Sequence, residues 1–114
     1  MNKESIKIDL DYVDAKIDEV GRPVVRFCYI VEHIWVTVIY TKEYEEPLPN
    51  KKNDLLLEWC FEVSMTADGH AGERSLLVAY MNAAVGMHVA LFDDNKLRSI
   101  LPIYEAQAKA QQAA

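Results

Sequence analysis

The two ends of the chain differ in residue type, and this division restricts the fold more than any single motif does. Residues 5–66 are dense in Val, Ile, Tyr, Phe, Trp and Thr, whereas Ala, Leu and Met prevail after the turn at residues 68–72. β-Branched and aromatic residues favour extended structure, and Ala, Leu and Met favour helices. Strands followed by helices predict a segregated α+β fold.

Residues 23–41 carry the strongest strand signal. One strand of nineteen residues would be unusually long, so we predict two strands, 23–31 and 34–41, with a tight turn at Glu32 and His33. Neither turn residue favours the positive φ of two-residue hairpins. Farther along, every odd position from 55 to 65 is apolar, which predicts another strand with one fully apolar face.

The segment 5–20 fits two patterns. The alternating pattern of a half-buried strand places four side chains on one face: Ile6, Ile8, Leu10 and Tyr12. A helix that ends at Gly21 would instead align Ile6, Leu10, Val13, Ile17 and Val20. Aspartates at positions 9, 11 and 14 have low helix propensity, and residues 18–23 suit a turn between strands, so we predict a strand.

The C-terminal part of the chain is predicted to form two helices. Apolar side chains recur at helical spacing over residues 73–89, and residues 93–95 offer an N-cap for a second helix, in which Pro102 starts a further turn over 103–113. Residues 42–53 are predicted to be a loop. The complete prediction is one α+β domain, 1–114, with a four-stranded antiparallel meander sheet and two C-terminal helices packed on one face.

The charge balance and the cysteines narrow the class of protein. Twelve Lys and Arg against eighteen Asp and Glu give a net charge of −6, which disfavours nucleic-acid binding. Apolar runs are far shorter than the roughly 20 residues of a membrane-spanning helix, and no secretory signal is visible, so we expect a cytoplasmic protein. Cys28 and Cys60 lack CxxC spacing, and we predict that both are buried thiols.

One cluster of residues has the composition of a reactive or ligand-binding turn: Asp68, His70, Glu73 and Arg74. Helix N-terminal amides and Arg74 favour an anion, and His70 could transfer a proton near neutral pH. The same residues also suit structural roles, with Asp68 as a cap and Glu73 complementing the helix dipole. We favour the structural roles and predict no catalytic residue, because no phosphate-loop or nucleophile-elbow pattern surrounds the turn.

The other residues that could bind a metal are scattered along the chain. His33, His70 and His88 are isolated from one another and from the cysteines. Zinc sites usually include two ligands a few residues apart. We therefore predict neither a metal site nor a cofactor.

The predicted sheet has a second face that is half apolar, although helices cover only one face. Its members alternate with the core positions and include Arg26, Cys28, Ile30, Trp35, Thr37, Ile39, Leu56, Glu58, Cys60 and Glu62. At about 25 cal/mol per Å², covering two or three large apolar side chains stabilises a complex appreciably, so we predict that this face binds another subunit or a partner. The predicted interface comprises Arg26, Ile30, Trp35 and Ile39, with the loop residues Tyr44, Glu45 and Glu46.

These observations lead to two hypotheses about function. The first is a non-enzymatic protein-binding module, an adaptor or inhibitor, that acts through an acidic and partly apolar surface as a homodimer or on a partner with a basic surface. The second is a small enzyme, or a protein that binds a small ligand or anion, using the turn from Asp68 to Arg74. Single-stranded nucleic-acid binding by Trp35, Tyr29 and Phe27 is opposed by the net charge.

Overall fold

Strands and helices follow one another along the chain without mixing. The computed structural model describes residues 6–43, 58–66 and 74–113. Within these residues the elements are β1 (Ile8–Ile17), β2 (Pro23–Val31), β3 (Ile34–Lys42), β4 (Trp59–Thr66), α1 (Arg74–Leu91) and α2 (Asp94–Ala113). The strands lie side by side in chain order and every neighbouring pair is antiparallel. The predicted α+β meander with two C-terminal helices is confirmed.

The first strand contains an extra residue that changes which side chains reach the core. Leu10 pairs with Tyr29 and Tyr12 pairs with Cys28, so Asp11 is inserted as a bulge. Val13 therefore packs against the core, whereas Tyr12 is exposed. The predicted common face for Ile8, Leu10 and Tyr12 is thus wrong at Tyr12, and the helical alternative is also wrong, because the whole of β1 is extended.

The turn between β1 and β2 is built around Asp18. Its carboxylate accepts hydrogen bonds from the backbone amides of Val20, at 3.1 Å, and Arg22, at 2.8 Å. Gly21 adopts a φ of 92°, in the left-handed region that favours glycine. The predicted turn over residues 18–23 is confirmed, since β2 begins at Pro23.

The turn between β2 and β3 lies at Glu32 and His33, as predicted. Glu32 adopts a φ of 58°, which is strained for a residue with a side chain. Its amide donates to the Lys7 carbonyl at 2.8 Å, and its carboxylate accepts from the Lys7 amide at 2.6 Å. These two bonds offset the strain and explain how a non-glycine residue occupies the turn.

The core lies between one face of the sheet and the two helices. Its strand members are the alternate residues of the central strands, including Val25, Phe27, Tyr29, Val31, Ile34, Val36, Val38 and Tyr40. Helix α1 contributes Tyr80 and Ala84, and α2 contributes Leu97, Leu101 and Ala108. Leu76 lies one helical turn before Tyr80, but its side chain is exposed.

Helix α2 leaves α1 at a sharp angle. Asp93 caps it, because its Oδ1 accepts the Lys96 amide at 2.9 Å. The helix continues through Pro102, so the predicted fresh start at this residue is wrong. The buried side chains Leu101 and Ala108 hold α2 on the sheet on both sides of the exposed proline.

No single helix in the described residues is long and apolar enough to cross a membrane. Helices α1 and α2 together meet the length and composition of a span only as a pair bent by 87°.

Candidate functional site

The side of the sheet that faces away from α1 and α2 is the first candidate, and we call it the open face. Its members are Asp9, Tyr12, Asp14, Lys16, Val24, Arg26, Cys28, Ile30, Trp35, Thr37, Ile39, Thr41, Cys60, Glu62, Ser64 and Thr66. Within the described part of the chain, both helices pack on the opposite side. Four of the predicted interface residues, Arg26, Ile30, Trp35 and Ile39, therefore share this surface.

The apolar part of the open face crosses three strands. Ile30 and Trp35 are direct cross-strand partners, and Tyr12 is the partner of Cys28 on the neighbouring row. Trp35 is 41% exposed and Tyr12 is 42% exposed, whereas Ile30 and Ile39 are half-buried. Two large aromatic side chains on one contiguous surface are typical of protein interfaces.

The charged centre of the open face is already paired. Asp14 and Arg26 are cross-strand partners, with Nε donating to Oδ1 at 2.9 Å and a second bond joining Nη2 to Oδ2. The hydrogen bonds that Arg26 donates to Asp14 raise the pKa of Arg26 above its ordinary value. A bidentate pair of this kind brings no unpaired charge into an interface when a partner covers it.

Two residues differ from their predicted positions around this face. Cys60 is exposed on the open face instead of being a buried thiol, because it alternates with Trp59, whose side chain takes the buried position. Glu58 was also predicted to lie on this face, but it precedes β4 and its side chain is buried. Its Oε1 lies 3.9 Å from the Lys42 Nζ. Cys28 is buried, as predicted.

Lys42 also joins the sheet to α2. Its Nζ donates to both carboxylate oxygens of Glu105, at 3.0 and 3.1 Å, and Lys109 contacts the same carboxylate at 3.0 Å. Burial alone would raise the pKa of Glu105, but the hydrogen bonds from the two lysines hold this pKa below its ordinary value. The cluster fixes α2 on the sheet, since every member has a partner of opposite charge.

The second candidate is a histidine of α1 that is buried against the sheet. His88 is 1% exposed and lies over two strands. Its Nδ1 lies 2.8 Å from the Tyr29 hydroxyl on β2, and its Nε2 lies 2.9 Å from the Tyr40 hydroxyl on β3. Phe27 and Phe92 flank the ring, with centroids 4.8 and 5.4 Å away.

Burial keeps this trio uncharged at neutral pH. It lowers the pKa of His88 to about 4, because burial removes water from the charged imidazolium. Burial also raises the pKa of Tyr29, and burial together with the Asp94 carboxylate raises the pKa of Tyr40 to about 12. A neutral imidazole has one donor and one acceptor nitrogen, so one tyrosine must donate and the other accept.

The surroundings of the two hydroxyls assign these roles. Tyr29 is fully buried, and the hydrogen bonds of the described residues give its proton no acceptor other than Nδ1. Tyr40 lines a pocket and can place its proton there. Tyr29 therefore donates to Nδ1, and Nε2–H donates to the Tyr40 oxygen.

Removing the two hydroxyls separately is expected to have unequal effects. Tyr29→Phe leaves Nδ1 buried without a donor and should lower the free energy of unfolding by about 1–3 kcal/mol. Tyr40→Phe should cost less, because water in the pocket can replace the lost acceptor. Urea denaturation of both variants measures the difference, and a larger loss in Tyr40→Phe would contradict the assigned proton positions.

The pocket beside His88 has a volume of about 450 Å³ and opens between β3, β4 and the start of α2. Sequence reasoning missed the trio. The available signal was a histidine on the same helical stripe as Tyr80 and Ala84, which are buried. No motif links a histidine to tyrosines 48 and 59 residues away.

Not all of the predicted site residues belong to the described part of the chain. Asp68, His70 and Glu73, together with Tyr44, Glu45 and Glu46, lie outside the described residues, and Arg74 is the first residue of α1. Among the residues that the structure describes, no group of three or more His, Cys, Asp and Glu side chains is arranged to hold a metal ion.

The chain matches no protein-family model, no curated protein and no solved structure.

Proposed function

We propose that this chain is a non-enzymatic protein-binding module whose open face binds a second copy of the same chain. The observation that supports this proposal is the exposure of Trp35 and Tyr12 beside Ile30 and Ile39. Burial of exposed aromatic and half-buried aliphatic side chains in an interface is favourable, because it removes apolar area from water.

The charge of the open face favours a second copy over a strongly basic partner. Asp9, Asp14 and Glu62 against Lys16 and Arg26 leave a net charge of −1 on this face, compared with −6 for the whole chain. A nearly neutral and partly apolar surface can contact itself across a two-fold axis without strong repulsion. Most of the negative charge would then remain outside the interface and exposed to solvent.

The size of the sheet is also sufficient. The central strands are nine residues long, and four strands about 4.8 Å apart with about 3.3 Å per residue span a flat area of about 570 Å². Side-chain relief adds to this area, but Val24, Cys28 and Thr41 on this face are already buried. The contact therefore lies at the small end of specific interfaces, which bury roughly 800 Å² per partner at standard size. Two open faces packed together would form a sandwich of sheets with the helices outside.

Sedimentation equilibrium at tens of micromolar tests the proposal. We expect twice the chain mass for the unmodified protein and the single mass for Trp35→Glu, because a buried unpaired carboxylate opposes association. Ile103→Glu is the matched control, since Ile103 is exposed on α2 and this variant should remain a dimer. A single-chain mass for the unmodified protein, or equal dissociation of both variants, would overturn the proposal.

A further inference from the structure

The pocket between β3, β4 and α2 has an aromatic wall. Tyr40 and Phe61 lie on adjacent strands with ring centroids 5.4 Å apart, and Phe92 closes the side toward α1. Phe61 is 49% exposed, so its ring remains accessible to a ligand. The faces of aromatic rings attract cations that approach to within about 6 Å of a ring centroid.

The polar part of the pocket is acidic. Asp93, Asp94 and Asn95 lie at its rim, and no Lys or Arg is among the described residues that line it. Asp93 uses Oδ1 to cap α2, and both carboxylates oppose an anion at this helix N-terminus. His88 forms part of the lining and is neutral at physiological pH, so the pocket contains no positive charge from the described residues.

The hydroxyl of Tyr40 adds a hydrogen-bond donor. Because its oxygen accepts from His88 Nε2, its own proton is left to donate into the pocket that Tyr40 lines. An oxygen atom on a ligand could accept that proton while the charged end of the ligand contacts the rings and carboxylates.

We propose that this pocket binds a small alkylammonium ion, preferably one that carries a hydroxyl group. Aromatic walls beside carboxylates match the charge and apolar surface of such an ion, and a pocket of about 450 Å³ is large enough to admit it. The pocket lies on the helix side of the sheet, so binding there is independent of association through the open face.

Calorimetric titration of the 114-residue chain with choline tests the proposal. We expect saturable binding with a dissociation constant of about 1 mM or lower. The uncharged carbon isostere 3,3-dimethylbutan-1-ol should bind at least about tenfold more weakly, because it lacks the charge that the rings and carboxylates recognise. Tetramethylammonium should bind more weakly than choline because it offers no acceptor to Tyr40.

Two variants locate the site. Phe61→Leu and Asp94→Asn should each weaken choline binding by about fivefold or more, and both positions are exposed enough for the fold to persist. The matched control is Asp9→Asn, an exposed carboxylate on the open face, which should leave the affinity unchanged. Amide NMR shifts at residues 94–97 provide a second readout of the position of the ligand.

Three results would overturn the proposal. They are equal affinity for choline and its uncharged isostere, binding of inorganic phosphate in place of choline, and no heat or NMR shift at about 10 mM choline. Because Trp35→Glu should still bind choline, failure of the dimer experiment and failure of this one are distinguishable.

Discussion

Acidification from pH 6.5 to pH 4 is expected to lower the free energy of unfolding by about 3 kcal/mol through His88 alone. In the unfolded chain a histidine takes up a proton near its ordinary pKa of 6.5, whereas burial lowers the pKa of His88 in the fold to about 4. Between these values the unfolded state binds more protons. The contribution of neutral His88 to the free energy of unfolding is therefore complete above about pH 6.5 and decreases as the pH falls. It changes no further below about pH 4.

The pH window separates this effect from those of the acidic residues. Backbone hydrogen bonds from Arg22 lower the pKa of Asp18, and the lysines lower that of Glu105. Groups of this kind contribute stability above their unfolded pKa and lose it as the pH falls through the folded value. Their losses therefore lie below about pH 4.5, so the change between pH 6.5 and 5 reports chiefly on His88.

Urea denaturation at several pH values measures this slope, and NMR of the His88 ring measures its protonation directly. The variant His88→Gln should lose the slope between pH 6.5 and 5, whereas His33→Gln, at an exposed position in the β2–β3 turn, should retain it. The expectation fails if the unmodified protein has constant stability over this range or if the His88 ring titrates near pH 6.5.

The largest loss of stability from a single truncation is expected at Phe27. This residue is fully buried, and its ring meets those of Tyr40 on β3, His88 on α1 and Tyr104 on α2, with centroids 5.7, 4.8 and 6.4 Å away. Phe27→Ala should cost about 3–5 kcal/mol, because it removes contacts with both helices and leaves a cavity. That is a large share of the roughly 5–15 kcal/mol that stabilises a typical domain.

The matched control for Phe27→Ala is Phe61→Ala on β4. Phe61 is half-exposed, so its truncation removes less buried area and leaves no closed cavity. Thermal denaturation should show a much lower melting temperature for Phe27→Ala than for Phe61→Ala. Equal losses would contradict the position of Phe27 at the centre of the core.

The opening strand illustrates how far local pattern predicts this fold. Ile8 and Leu10 alternate correctly, but the bulge at Asp11 shifts the next apolar positions to Val13, Ala15 and Ile17. Spacings of four and three residues then arise within a strand, which is why the segment also resembled an amphipathic helix. A bulge depends on pairing with the neighbouring strand, and alternation within one segment cannot reveal it.

The two candidate sites differ in the same way. The open face was predictable at Arg26, Ile30, Trp35 and Ile39, because strict alternation places every second residue on one side of a strand. The His88 trio was not predictable, since its members belong to three elements and share no motif. Alternation placed Cys60 on the correct face, but its exposure escaped prediction, because the face of a strand does not specify whether another part of the chain covers it.

Residue type and periodicity were enough to establish the order of four strands and two helices, because propensity and alternation are local properties of the chain. Packing alone established that His88 joins Tyr29 to Tyr40 and that a pocket opens beside them. These contacts span 59 and 48 residues, so they depend on where α1 crosses the sheet. That position depends on how the two helices together cover one apolar face of the sheet. This arrangement is a property of the whole fold, and no single segment determines it.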